Sequence, residues 1–200
     1  GALRIGVLNS SNMVRITDGE TYNYKLPADD SLKLVYENSI FTKSSDIEIN
    51  EVVGKVGLVN TYGNVKIGHL SHQASITSEN GNVKIGTSGY LPSSNTETKN
   101  FTDTSSLIVF TTYGDINVGE YYQDGVFYSK KGSITVKSLV GETGIKGKQV
   151  GGVWEDGSRY FYTDITSKDG KITATTDGNP IRIVCTGDAN VKLKFTKLLN

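Results

Sequence analysis

The chain has 200 residues, a mass of 21.6 kDa, and equal numbers of basic and acidic side chains, 21 of each. That length suits one domain, and zero net charge argues against a nucleic-acid binder, which needs a net basic face. No run approaches the roughly 18 apolar residues of a membrane helix. The single cysteine rules out an internal disulfide; Cys185 ends the apolar run from Ile181 and reads as a buried, inert thiol.

Residues 1–37 alternate as strands do, in Leu3-Arg4-Ile5-Gly6-Val7, Val14-Arg15-Ile16 and Leu32-Lys33-Leu34, but match nothing downstream. They are expected to form an irregular N-terminal β cap, because the first unit of a stack must close an exposed strand edge. From residue 38 to 200 a ten-residue pattern recurs seven times, centred on a small residue at Ser45, Gly63, Gly81, Gly114, Gly132, Gly170 and Ala189. The steps are 18, 18, 33, 18, 38 and 19 residues. Two positions after the small residue stand Ile47, Val65, Val83, Ile116, Ile134, Ile172 and Val191. Two further on stand Ile49, Ile67, Ile85, Val118, Val136, Ala174 and Leu193. Five before it come Ile40, Leu58, Ile76, Val109, Phe127, Ile165 and Val184, and three before it Thr42, Asn60, Ser78, Thr111, Ser129, Ser167 and Thr186. Only 36% of the chain is hydrophobic, so three wholly apolar columns seven deep cannot come from composition, and a fixed period near 18 marks a solenoid.

Apolar residues two apart with polar ones between them form a strand with one buried face. One such strand cannot hide its apolar side. Stacked at about 4.8 Å, seven of them join their faces into one core and make a rod roughly 30–35 Å long. The expected fold is therefore all-β: a β-solenoid, or parallel β-helix-like stack, of about seven coils of about 18 residues. The small column is expected at a corner where a side chain would obstruct the turn or the backbone needs positive φ. The residues after it, Asp46, Asn64, Asn82, Asp115, Ser133, Lys171 and Asn190, are mostly short and polar, as side chains that bond turn backbone are.

The two long steps read as insertions into this one domain. Residues 87–106 are rich in serine, threonine and asparagine and read as a protruding loop. Residues 138–162 hold the only tryptophan, and Asp156-Gly157 between strand-like flanks suggests a hairpin there. At the C-terminus Lys192, Lys194 and Lys197 alternate with Val191, Leu193 and Phe195, placing charges on an edge strand that discourage end-to-end stacking.

Catalytic chemistry is thinly represented. A glycosidase or lyase needs clustered carboxylates in one groove, but the outward column Glu48, Lys66, Lys84, Asn117, Thr135, Thr173 and Lys192 holds one acid. Glu48 is expected to pair with Lys66 of the next coil. Asp29-Asp30 and Glu155-Asp156 read as solvated turn residues, and His69 and His72 as surface histidines without further metal donors nearby. The expectation is no catalytic residue, no metal and no cofactor. The best binding candidates are aromatic: Trp154, Tyr160 and Tyr162 share an insertion with Arg159, and Tyr121 and Tyr122 lie in a nearby coil with Tyr128. Flat rings with polar tips can hold a sugar or a protein. Tyr62 and Tyr113 occupy equivalent corners, but not in adjacent copies, so they are not expected to stack.

These columns, with Lys25-Leu26-Pro27 before the first repeat and the phrases Thr61-Tyr62-Gly63-Asn64-Val65-Lys66-Ile67 and Asn80-Gly81-Asn82-Val83-Lys84-Ile85, resemble the bacterial adhesin-like family of β-solenoid ectodomains over about residues 25–195. The resemblance implies a β-helix held outside a bacterial cell, often behind a membrane segment, with no catalytic residues to transfer. The chain opens on Gly1 rather than methionine, which fits removal of a leader or anchor. The functional expectation is a non-enzymatic surface module for adhesion or display, with a cell-surface protein or glycan as partner. An envelope sensor or scaffold binding another membrane protein is the alternative, and a carbohydrate-active β-helix enzyme the weakest.

Overall fold

The computed structural model describes residues 1–9, 15–17, 38–71, 73–89, 106–122, 124–138, 149–150, 153–154, 163–176 and 181–196. Among them every regular element is a strand: β1 (Ala2–Asn9), β2 (Arg15–Thr17), β3 (Asn38–Thr42), β4 (Asp46–Val53), β5 (Val56–Asn60), β6 (Val65–Leu70), β7 (Ala74–Ser78), β8 (Val83–Gly89), β9 (Ser106–Thr111), β10 (Ile116–Tyr122), β11 (Asp124–Ser129), β12 (Ile134–Ser138), β13 (Gln149–Val150), β14 (Val153–Trp154), β15 (Thr163–Ser167), β16 (Lys171–Thr176), β17 (Ile181–Cys185) and β18 (Asn190–Phe195). Sixteen of these form two parallel sheets. The first runs β1-β4-β6-β8-β10-β12-β16-β18, and the second β2-β3-β5-β7-β9-β11-β15-β17. From β3 onward the chain lays a strand in the second sheet, turns a short corner, and lays the next in the first sheet. This arrangement is consistent with a parallel β-helix-like stack.

Register follows the sequence columns. Ile47 sits beside Val65, Val65 beside Val83, Val83 beside Ile116, Ile116 beside Ile134, Ile134 beside Ile172 and Ile172 beside Val191. The insertions do not interrupt this order: β8 pairs with β10, and β12 with β16. The inner faces of the two sheets share one core, in which Ile40, Leu58, Ile76, Val109, Phe127 and Ile165 meet the first-sheet columns and all are buried. The N-terminal segment takes part directly. β1 lies beside β4 with Leu3 opposite Ile47 and Ile5 opposite Ile49, and β2 lies beside β3. Here the first-sheet strand precedes the second-sheet strand, the reverse of every later pair, which is why residues 1–17 fit no repeat. Within the second insertion, Gln149–Val150 pairs antiparallel with Val153–Trp154. This hairpin falls before the position expected from Asp156-Gly157, which, like most of both insertions, lies outside the described residues.

The corners explain the small column. A Cβ at Gly81 would collide with the carbonyl oxygen of Gly63, and one at Gly114 with that of Gly81, because successive corners stack backbone on backbone. Positive φ is found at Gly54 (106°) and Gly89 (86°), at the ends of first-sheet strands, and not in this column. The obstruction reading therefore holds and the positive-φ reading does not. The next column forms a ladder: Asp46 Oδ1 accepts from Asn64 N–H at 2.7 Å, Asn64 Oδ1 from Asn82 N–H at 3.0 Å, Asn82 Oδ1 from Asp115 N–H at 2.9 Å, and Asp115 Oδ1 from Ser133 N–H at 2.7 Å. Inside, the buried polar column closes five of the turns, whereas Thr42 Oγ1 has no hydrogen-bond partner among the described residues and Thr186 is exposed. Gly63, Gly132 and Gly170 N–H donate to Asn60 Oδ1, Ser129 Oγ and Ser167 Oγ at 2.8–3.0 Å, while the Ser78 and Thr111 hydroxyls donate to the Gly81 and Gly114 carbonyls at 2.9 and 2.6 Å. Buried polar atoms need such partners.

The last pair of strands, β17 and β18, departs from the expected columns. Ile165 pairs with Ile183 and Ser167 with Cys185, so Ile183, not Val184, holds the inward position. The additional residue of the 19-residue step lies in the corner between Cys185 and Asn190. Cys185 is exposed, contrary to the buried thiol expected from its apolar run, because it belongs to the last strand of the second sheet.

Candidate binding faces

The first sheet's outer face carries a charge ladder. Glu48 accepts from Lys66 Nζ at 2.9 Å and approaches Arg4 Nε at 3.5 Å, so one acid lies between two bases on successive strands. The hydrogen bond and charge of Lys66, and then the charge of Arg4, hold the Glu48 carboxyl below the usual carboxylate range. Further along this face Lys137 Nζ meets Glu120 Oε1 at 2.8 Å. His69 Nδ1 lies 2.7 Å from Thr87 Oγ1; His72 is outside the described residues. Among the described residues no three His, Cys, Asp or Glu side chains gather as a metal site would require.

The second sheet's outer face carries an apolar, aromatic patch. In β9 the inward residues are Leu107, Val109 and Thr111, which leaves Ile108 and Phe110 on the outside; in β11, Val126 and Tyr128 face outward beside them. The Phe110 and Tyr128 rings are 5.9 Å apart at 43° and half-buried, and Ile108 is 6% exposed despite facing away from the inter-sheet core. The two half-buried rings, with Val126 beside them on the same face and one polar tip, are side chains of the kind that meet a sugar face or an apolar protein side chain. Sequence reasoning named Tyr128 but missed Phe110. The run Leu107-Ile108-Val109-Phe110 is apolar throughout, and an unbroken run does not show which residues face out.

The other aromatic candidates fare differently. Tyr121 is no surface ring: it is 0% exposed, packs edge-on against Phe127 at 5.4 Å, and its hydroxyl bonds Thr163 Oγ1. Gly125 makes room for it, since a Cβ there would meet both the Phe127 and Tyr121 rings. A β-bulge explains the inversion. Val118 pairs with Val136 and Tyr121 with Ser138, so Gly119 and Glu120 together oppose Lys137, and the face of every later side chain shifts by one. The backbones of Tyr122 and Trp154 lie in β10 and β14, their side chains outside the description; Arg159, Tyr160 and Tyr162 lie outside it altogether. Tyr62 and Tyr113 are exposed corner residues separated by the Asn80 corner, and Lys131 Nζ sits 5.7 Å from the Tyr113 ring centre. They do not stack, as expected.

No family model, curated protein or solved structure matches the chain. The adhesin-like resemblance therefore rests on the residues quoted for it.

Proposed function

We propose that this chain is a β-solenoid of about seven coils of about 18 residues, serving as a non-enzymatic, rigid display or adhesion module outside a bacterial cell. The observation that carries the reading is the unbroken inward register from Ile47 to Val191, held across both insertions. A core so constrained leaves its outer faces free to vary, and the Phe110–Tyr128 patch is the outer feature best suited to hold a glycan or a surface protein. The bacterial and extracytoplasmic parts of the reading rest on the adhesin-like resemblance.

Glycan-array and whole-cell binding test it. The wild-type chain is expected to bind at least one glycan class or cell surface, and Phe110→Ala with Tyr128→Ala to weaken that binding about tenfold or more. Blank arrays and cells at high protein concentration would defeat it. A scaffold that docks another envelope protein is a second reading, favoured by the half-buried aliphatic Val126 beside the rings. In that case crosslinking from native cells would recover one partner protein, and the same double substitution would abolish its recovery.

A further inference from the structure

The two ends of the paired sheets are not alike. β18 and β17 close the strand order of the first and second sheets, so each has one edge without a neighbour among the described residues. Their inward side chains lack the next layer. Val191 and Leu193 are each 43% exposed and Phe195 74%, whereas their column neighbours Ile172, Ala174 and Thr176 are buried. Between these apolar side chains Lys192 and Lys194 point to the outer face, exposed and without an ion pair among the described residues.

Register tests the obvious occupant, a second copy of this chain. Stacked head to tail, β1 of the next copy would set Leu3 against Val191 and Ile5 against Leu193, but Arg4 directly against Lys192. Paired antiparallel about Leu193, two copies of β18 would oppose Lys192 and Lys194. Both homotypic modes place like charges in directly opposed positions, which destabilises strand pairs. The chain already shows the compatible arrangement in this same outward column, where Glu48 lies between Arg4 and Lys66. An acid is what a neighbour to Lys192 requires.

The geometry points to β18 as a docking edge for an extended acidic segment of a partner protein, laid parallel, with aliphatic residues over Val191 and Leu193 and acidic residues opposite Lys192 and Lys194. This is strand addition, with main-chain bonds supplying affinity and alternate side chains supplying choice. It rests on strand register and charge, and not on the adhesion reading.

The probe is the labelled peptide TVEVEVT, titrated with the full chain at low ionic strength and followed by fluorescence anisotropy. The expected result is saturable binding, weakened by salt and roughly tenfold weaker for the Lys192→Glu/Lys194→Glu variant, with TVKVKVT not binding. Circular dichroism and an unchanged Tm would show that the variant is folded, and hydrogen exchange is expected to slow at the Val191–Phe195 amides on binding. Equal binding of the two peptides, indifference to the charge reversal, slowed exchange elsewhere only, or no binding at millimolar peptide would each overturn the proposal. Concentration-dependent self-association at low salt would overturn it in favour of a second copy. None of these failures would affect the glycan and cell assays.

Discussion

Val83 and Lys84 are adjacent in sequence and lie on opposite faces of β8, so the same substitution at each tests the assigned faces. Val83 is 1% exposed between Val65 and Ile116. Val83→Asp removes burial worth about 1.5–3 kcal/mol and leaves a carboxyl without a hydrogen-bond partner, which costs about 1–3 kcal/mol more. At pH 7 the group must also be held neutral some three units above its ordinary value near 3.9, adding about 4 kcal/mol at about 1.36 per unit. The total, about 6–10 kcal/mol, rivals the whole stability of a typical domain, about 5–15 kcal/mol. The sign with pH follows. A carboxyl whose folded pKa is raised is penalised as pH climbs above its unfolded value, so near pH 4 the last contribution fades and about 3–6 kcal/mol remains. Lys84→Asp, exposed between Lys66 and Asn117, should cost under about 1 kcal/mol. Urea unfolding followed by circular dichroism at pH 4 and pH 7 measures both. Equal losses at the two positions, or a Val83→Asp loss that does not shrink on acidification, would refute the reasoning.

Gly81→Ala should destabilise by about 1–3 kcal/mol in urea unfolding, because the new methyl must push apart the stacked corners at the Gly63 carbonyl; an unchanged midpoint would mean the corners do not stack. Tyr121→Phe keeps the packing against Phe127 and removes the hydroxyl bond to Thr163. A cost of about 0.5–1.5 kcal/mol is expected, against about 3–5 kcal/mol for Tyr121→Ala, read from thermal or urea midpoints. Glu48 has a depressed folded pKa from Lys66 and Arg4. Its contribution is present above the unfolded value near 4.3 and is lost as pH falls through the folded one. NMR titration of its carboxyl should therefore give a midpoint below 4.3 that returns toward it in Lys66→Ala.

Periodicity located the inward face of the first sheet at every copy, since Ile47 through Val191 alternate with residues too polar to be buried. It failed where two features left the apolar count intact. The bulge at Gly119 adds an outward residue between Val118 and Tyr121, so strict alternation from Ile116 puts Glu120 inside and Tyr121 outside, the reverse of the fold. The same three-residue spacing of inward residues occurs in β4, β6 and β8, at Ile49 and Val52, Ile67 and Leu70, and Ile85 and Ser88, where the strands stay in register with one another. In β17 Ile183 and Val184 are both apolar, so the sequence could place the additional residue before the strand or in the corner; the pairing of Ser167 with Cys185 puts it in the corner.

The candidate faces were harder to read than the core for a related reason. Inward positions are repeated by necessity, because each must meet the side chain of the strand on either side, and repetition is what a single sequence reveals. Outward positions carry no such constraint beyond local pairing: along one column Phe110 and Tyr128 give way to Thr166, and in another Glu48 to Lys66 and Lys84. A binding patch on this frame is therefore visible only after the inward residues have been assigned and removed. Phe110 emerges in that way, once Leu107 and Val109 are known to be buried. The exposed end layer is the complementary case. Val191 and Leu193 obey the inward pattern fully, and only the strand order shows that the neighbour their pattern requires is missing among the described residues.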